Sequence, residues 1–183
     1  MNPTRGQLLI AEPSVIQDNS FNRSIILLVA CTTEGSVGFI MNKPSSFTLR
    51  DFIPKINTNF KVYNGGPVEQ DNLYFIHTRP DLIENSLEIS DGLYWGGDFN
   101  QVITMIEMQI IEKNEIKFFL GYSGWGSNQL KEEIENSSWV LSDNNYNGSL
   151  LKKSDIEFWK EKMIELGGEY SLWANAPEDP TQN

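Results

Sequence analysis

Residues 21–44, FNRSIILLVACTTEGSVGFIMNKP, carry the pattern from which the fold is worked outward. Ser24 to Thr32 is dominated by β-branched and apolar side chains, and Val37 to Asn42 is a second such run. Thr33-Glu34-Gly35-Ser36 lies between them, a short polar turn containing glycine. Two β-rich runs joined in this way predict an antiparallel hairpin over Ser24–Asn42. Cys31 closes the apolar run that starts at Ile25, which marks its thiol as buried and inert; as the chain's single cysteine it has no intramolecular disulfide partner. Further strands are predicted at Gln7–Ala11, Phe60–Tyr63, Leu73–His77, Leu87–Ile89, Leu93–Trp95, Ile116–Tyr122 and Trp139–Leu141. So many short strands predict a substantial sheet or partial barrel.

Three helices interrupt the strands. Phe99, Val102, Ile103, Ile106 and Ile110 recur at helical spacing behind Asp98, which caps with Gln101 three residues on. Ser127–Asn136 places Leu130 and Ile134 on one face and Glu132, Glu133 and Glu135 toward water. In Asp155–Leu166 the expected buried stripe is Ile156, Trp159, Met163 and Leu166, with Ser154 and Glu157 as a capping box and Gly167-Gly168 as the stop. A shorter helix is expected from Leu49 to Ile53, ended by Pro54. With no internal linker or repeat, residues 1–173 read as one α+β domain, and the polar, proline-containing residues 174–183 as a fraying tail.

The chain has 183 residues, 39% hydrophobic, a length and apolar content that fit one domain with a sizeable core. Its net charge of −11 is uneven: residues 1–60 sum to +1, residues 61–130 to −6 and residues 131–183 to −6. Duplex DNA is held by clustered Lys and Arg that displace counterions, and no segment offers a basic stripe, which argues against direct nucleic-acid binding. The N-terminal MNPTRGQLLIAEPSV lacks the apolar length of a signal peptide, and no apolar run approaches the roughly 20 residues of a membrane span. A soluble cytoplasmic protein with no membrane partner is the expectation.

Catalytic material is scarce. One Cys and one His do not make a structural zinc site, and no calcium-loop pattern occurs among the acids, so no metal or cofactor is expected. His77 is the only imidazole available as a base, with Cys31 and Ser123 as nominal nucleophiles. The most suggestive stretch is GYSGWGSNQLKEEI, residues 121–134, where a strand runs through a glycine-rich segment into a helix. That order aims backbone N–H groups at an anion. Gly121 and Gly126 match the spacing of a P-loop, but Ser127-Asn128 stands where Lys and Ser/Thr belong, and Trp125 breaks the G-x-S-x-G of a nucleophile elbow. A tight turn with Gly124 and Gly126 at unusual backbone angles is the competing reading. Asn64-Gly65-Gly66-Pro67 and Trp95-Gly96-Gly97-Asp98 are further turn signals where backbone approaches closely.

With these segments in view, the sequence resembles the YqgE/AlgH family of small bacterial proteins. The resemblance rests on residues 21–44, YNGGPVEQDNLYFIHT (63–78), GLYWGGDFNQVI (92–103) and GYSGWGSNQLKEEI (121–134), and runs over about residues 5–173 in the family's order. It implies a single α+β domain with a largely antiparallel, barrel-like, bifurcated sheet and three to four flanking helices. It also implies a transcriptional-regulator label, inherited from an effect on alginate production, and no catalytic residues to carry over. The recurrent family positions form the candidate ligand or partner site: Asn42, Lys43, Pro44, Gly65, Gly66, Pro67, His77, Gly96, Gly97, Gly121, Tyr122, Gly124, Trp125 and Gln129. The chain departs from the family at Ser127-Asn128, where members often carry Pro-Gly. The expected function is a non-enzymatic regulatory module acting through a protein or small-molecule partner. The alternative is an enzyme or a nucleotide or anion binder that joins His77 to the Gly121–Ser127 segment, and it requires the two to converge on one pocket.

Overall fold

The protein is described here by a computed structural model that covers residues 2–178. Ten strands follow in chain order: β1 (Leu8–Ala11), β2 (Ile25–Thr32), β3 (Gly35–Ile40), β4 (Pro44–Thr48), β5 (Lys61–Asn64), β6 (Val68–His77), β7 (Leu87–Ser90), β8 (Leu93–Trp95), β9 (Ile116–Gly126) and β10 (Trp139–Ser142). The helices are α1 (Leu49–Phe52), α2 (Phe99–Glu107), α3 (Gln129–Glu135), α4 (Ile156–Leu166) and α5 (Tyr170–Trp173), with 3-10 segments at Pro13–Gln17 and Asn147–Lys152. The sheet runs β10-β1-β2-β3-β9-β6-β8-β7, with β5 on β9 and β4 on β5; every pairing is antiparallel except β5 with β9. It is strongly curved but not closed. Gly6, ahead of β1, packs against β7, where a Cβ would stand 3.1 Å from that of Ser90, yet β7 and β10 do not pair with each other.

The predicted hairpin is β2–β3, with Ile26 opposite Ile40 and Thr32 opposite Gly35. At the end of the hairpin away from the turn its strands have no solvent face, because each parity of side chains meets its own core. Leu8, Ile10, Leu27, Phe39 and Phe119 face a first core, roofed by Phe158, Trp159 and Met163 of α4. Leu9, Ile26, Leu28 and Ile40 face another, closed by Trp125, Trp139 and Leu130 of α3. A third packs Val62, Phe75 and Phe118 under Val102, Ile103 and Ile106 of α2.

Strand β9 makes the sheet fork. Along one side it pairs with β6; along the other its first half pairs with β5 and its last four residues with β3. The chain leaving β5 must therefore cross the β9 backbone to become β6, and Gly65-Gly66-Pro67 is that crossing. The Gly65 N–H donates to the Leu120 carbonyl at 2.8 Å, and the Gly65 carbonyl accepts from the Ile40 N–H at 2.9 Å. A Cβ on Gly66 would overlap the Tyr122 carbonyl and the Ser123 nitrogen; one on Gly121 would stand 2.6 Å from the Gly66 oxygen. Where two backbones pass this closely, only glycine fits.

Helix ends follow local chemistry, with two corrections. Asp98 caps α2 by accepting from the Gln101 N–H, as expected, but Phe99 and Ile110 stay exposed at the rim of the stripe. Asp155, not Ser154, caps α4, accepting from the Glu157 N–H at 3.1 Å. The buried face of α4 is Phe158, Trp159, Lys162 and Met163, while Leu166 is exposed: the Lys162 stem lies under cover as an apolar chain and its ammonium reaches Glu165 at 2.8 Å. Strand β4 escaped prediction because Pro-Ser-Ser-Phe-Thr has no apolar alternation and holds only β5. Of the expected tail, residues 179–183 lie outside the described residues; ahead of them Ala174 is buried, and the carbonyls of Ala176 and Pro177 accept from the Arg23 guanidinium at 2.9 and 2.7 Å.

Gly66→Ala, at φ +152° in the crossing, is expected to lose about 3 kcal/mol or more of unfolding free energy, whereas Gly167→Ala, at φ +70° in open space, is expected to lose about 1 kcal/mol. Urea unfolding midpoints measure both, and equal losses would show that the crossing is not the constraint.

Candidate functional site

The candidate positions fall into three places. The first is the fork. Asn42 is buried, its Oδ1 accepting from the Ile25 N–H and its Nδ2 donating to the Arg23 carbonyl, both at 2.9 Å, so the amide completes the pairing at the start of β2. Lys43 reaches back to the Ser20 carbonyl at 2.7 Å, and burial pushes its ammonium below the ordinary lysine range, with Asp18 opposing. Lys43, Gly66 and Pro67 share a small hollow of about 210 Å³. Pro44 opens β4 and faces solvent.

The second place is the outer face of β3 and the end of β9. Gly121–Ser127 is not a loop: Ser123–Gly126 are strand, paired with Gly38–Gly35, and Tyr122 pairs with Val68. Within Gly121–Gly126 only Gly121, at φ +67°, has a positive φ, so no run of amides turns outward to cradle an anion. Both sequence readings of this segment as a loop or turn are corrected here, because β3 supplies a backbone partner for the glycines. Tyr122, Gly124 and Trp125 instead line an open cleft of about 550 Å³ with Ala30, Val37 and Val68. Gln129 braces it from α3, accepting from the Gly126 N–H and donating to Glu133 at 3.0 Å. Glu133, assigned to water by its place on the helix, accepts from the indole N–H of both Trp125 and Trp139 at 2.9 Å. Neither indole is its sequence neighbour, which is why the helical pattern did not reveal the role.

The third place is the far end of β6. His77 is fully enclosed; its Nδ1 accepts from the Arg79 N–H at 3.1 Å, which leaves the proton on Nε2, 3.0 Å from the Gly96 carbonyl and from Ser86 Oγ. Gly97, at φ +120°, packs against Ile83. Burial lowers the His77 pKa below 6.5, with the Gly96 bond opposing, so the ring is neutral at pH 7. His77 pairs with Ile116, at the opposite end of β9 from Tyr122–Gly126, so the convergence required by the enzyme or anion-binder alternative is not present. Ser123 is enclosed and donates to the Gly65 carbonyl at 3.1 Å, and burial pushes the Cys31 thiol up. Among the described residues no three His, Cys, Asp or Glu side chains gather into a group able to hold a metal ion, and no helix is long and apolar enough to cross a membrane.

One polar group was missed. Lys117, on the parity of Phe119 in β9, is 3% exposed; its ammonium donates to the carbonyls of Met41 at 2.7 Å and Lys153 at 2.6 Å and lies 4.2 Å from the centre of the Tyr63 ring. Burial pushes its pKa down to about 7, with Asp155 opposing. The available signal was a lysine between Ile116 and Phe118-Phe119 in a strand with no polar alternation.

A forked, mostly antiparallel sheet with helices on its faces, a backbone crossing at paired glycines and an open aromatic cleft define a single-domain α+β protein of one architecture. The chain belongs to the AlgH-like family (DUF179), whose pattern matches residues 8–171. A UPF0301 protein of Chlorobaculum parvum is 38% identical over 179 residues, covering 97% of this chain and 95% of the relative. The UPF0301 protein BF2109 of Bacteroides fragilis is 40% identical over 186 residues, covering 99% and 92%. The fold is similar to the crystal structure of protein DIP2367 from Corynebacterium diphtheriae, with TM-score 0.75, 20% identity and coverage of 96% of this chain and 94% of that one. It is also similar to the solution structure of the AlgH protein from Pseudomonas aeruginosa, with TM-score 0.72, 24% identity and 97% of each chain.

His77 sets a pH dependence. Its folded pKa lies below the unfolded 6.5, so its contribution is fully present above pH 6.5 and is lost as pH falls through the folded value. The difference in unfolding free energy between wild type and His77→Gln is expected to be flat above pH 6.5 and to shrink on acidification toward pH 5. A difference that grows on acidification would contradict the neutral, buried ring.

Proposed function

We propose that this chain is a cytoplasmic, non-enzymatic interaction module of regulatory character, and that a protein partner docks on the cleft between β3 and the end of β9. The observation that carries the reading is the fate of the chemistry-bearing groups. His77, Ser123 and Asn42 are enclosed and occupied with backbone groups, and Gly65, Gly66 and Gly121 are taken up by the crossing. Of the family-like positions, Tyr122, Gly124 and Trp125 line the larger open surface, about 550 Å³ against about 210 Å³ for the hollow at Lys43, Gly66 and Pro67, with Val37 and Val68 as its apolar lining. Glu34 lines the same cleft, and Glu69 and Asp71 follow Val68 on an exposed bulge of β6. An apolar strip with an acidic rim, in a chain of net charge −11, fits a protein surface with an apolar anchor and a basic rim.

Val68→Glu alters the cleft by a side chain alone and leaves the crossing glycines in place; the Val68 carbonyl, which lies against Gly121, is unchanged in kind. A partner recovered from cells of the source bacterium and then purified is expected to bind wild type, and to bind Val68→Glu at least about tenfold more weakly at an unchanged unfolding midpoint. Recovery of no partner, or a partner whose affinity ignores the substitution, would contradict the assignment.

A further inference from the structure

A cavity of about 250 Å³ lies between β5, the turn ahead of β9 and the segment joining the second 3-10 turn to α4, remote from the cleft above. Lys61, Lys113, Lys117 and Lys152 all line it, and no carboxylate does. That is four of the 14 basic residues of a chain with 25 acids, gathered at one opening. Among the described residues, none of the four is in an ion pair with a carboxylate. The remaining lining includes the amides of Asn59 and Asn114 and the aromatic residues Phe60 and Tyr63.

We propose that this cavity binds a small organic anion, a carboxylate or phosphate monoester attached to a planar apolar group, with Lys117 at its base. This site is independent of the protein-docking reading. Lys117 is the anchor because the fold already holds it: two of its N–H groups are spent on the Met41 and Lys153 carbonyls, and the third has only Ser154 Oγ, at 3.4 Å. A bond at 3.4 Å is weak, so an anionic oxygen on that N–H replaces little and gains a charge-assisted bond in a desolvated setting. The three rim lysines add long-range attraction and keep their charges in water. Phe60 and Tyr63, both in the lining, supply aromatic material for a flat apolar group to pack on. The volume lies below the roughly 300–1,000 Å³ of drug-sized pockets, which sets the ligand at a single ring or its equivalent.

The probes are phenyl phosphate, benzoate, inorganic phosphate and benzylamine, each titrated into the full chain with the side-chain amide resonances of Asn59 and Asn114 followed by NMR. Phenyl phosphate or benzoate is expected to shift both amides saturably, and benzylamine to leave them unmoved. Lys117→Met is expected to weaken binding at least about tenfold. The triple variant Lys61→Gln/Lys113→Gln/Lys152→Gln, on the exposed rim, keeps the test sound if Lys117→Met fails to fold, and is expected to weaken binding and flatten its salt dependence. No saturable shift with either organic anion, or an affinity that neither variant changes, would overturn the site. Inorganic phosphate binding as tightly as phenyl phosphate would overturn the organic part of the ligand.

Discussion

Everything in this fold depends on two backbones passing within contact distance. Gly65-Gly66 crosses β9 at Gly121-Tyr122, and side chains at these glycines would occupy space already filled by carbonyl groups. The crossing carries the chain from one flank of β9 to the other, so β5 and β6 sandwich the same strand and β3 takes over where β5 leaves. The fork has an energetic logic. A flat ten-stranded sheet would leave a long edge and two broad faces to cover, whereas splitting it at β9 bends the strands around separate cores, each covered by helix. The Gly65 carbonyl, accepting from both the Ile40 N–H and Ser123 Oγ, ties the branches together at the point of divergence.

Around that crossing the fold spends its polar side chains on backbone groups. Asn42 completes the pairing of β2 where Arg23 turns into a left-handed conformation at φ +55°. The Arg23 guanidinium then stacks 5.1 Å from the Trp159 ring and binds the chain after α5. His77 serves the turn after β6 in the same way, and Glu133 joins two indoles from different strands. Each is costly to leave unsatisfied once buried, on the order of 1–3 kcal/mol per group. Family-like positions of this kind are explained by folding. The surfaces left over are the cleft on β3 and β9 and the lysine-lined cavity beside β5, the two places proposed for binding.

The hairpin, seven further strands, the α2 cap, the three longer helices and the short α1 were legible because strand alternation, helical spacing and capping depend on residues within a few positions of one another. The α4 face was misjudged by the same local logic: the expected stripe left out Lys162, which is almost fully buried on that face, and included Leu166, which is exposed. Gly124 and Gly126 were read as a loop since glycine signals a turn wherever no partner strand is known; β3, some 90 positions earlier in the chain, makes them strand. The sequence did not separate the places these positions take in the fold, because close approach, enclosure and exposure look alike in one dimension.

By itself the sequence determined the class of the fold, the order of its elements, the uneven charge and the scarcity of catalytic groups, all properties of composition or of short stretches of chain. Only the tertiary structure decided that Gly66 lies on Tyr122, that His77 and the Tyr122–Gly126 strand stand at opposite ends of β9, and that Lys117 sits buried at the base of a basic cavity. Those facts depend on which distant segment lies alongside. That is settled by the joint packing of the cores, beyond the reach of any single segment's propensity.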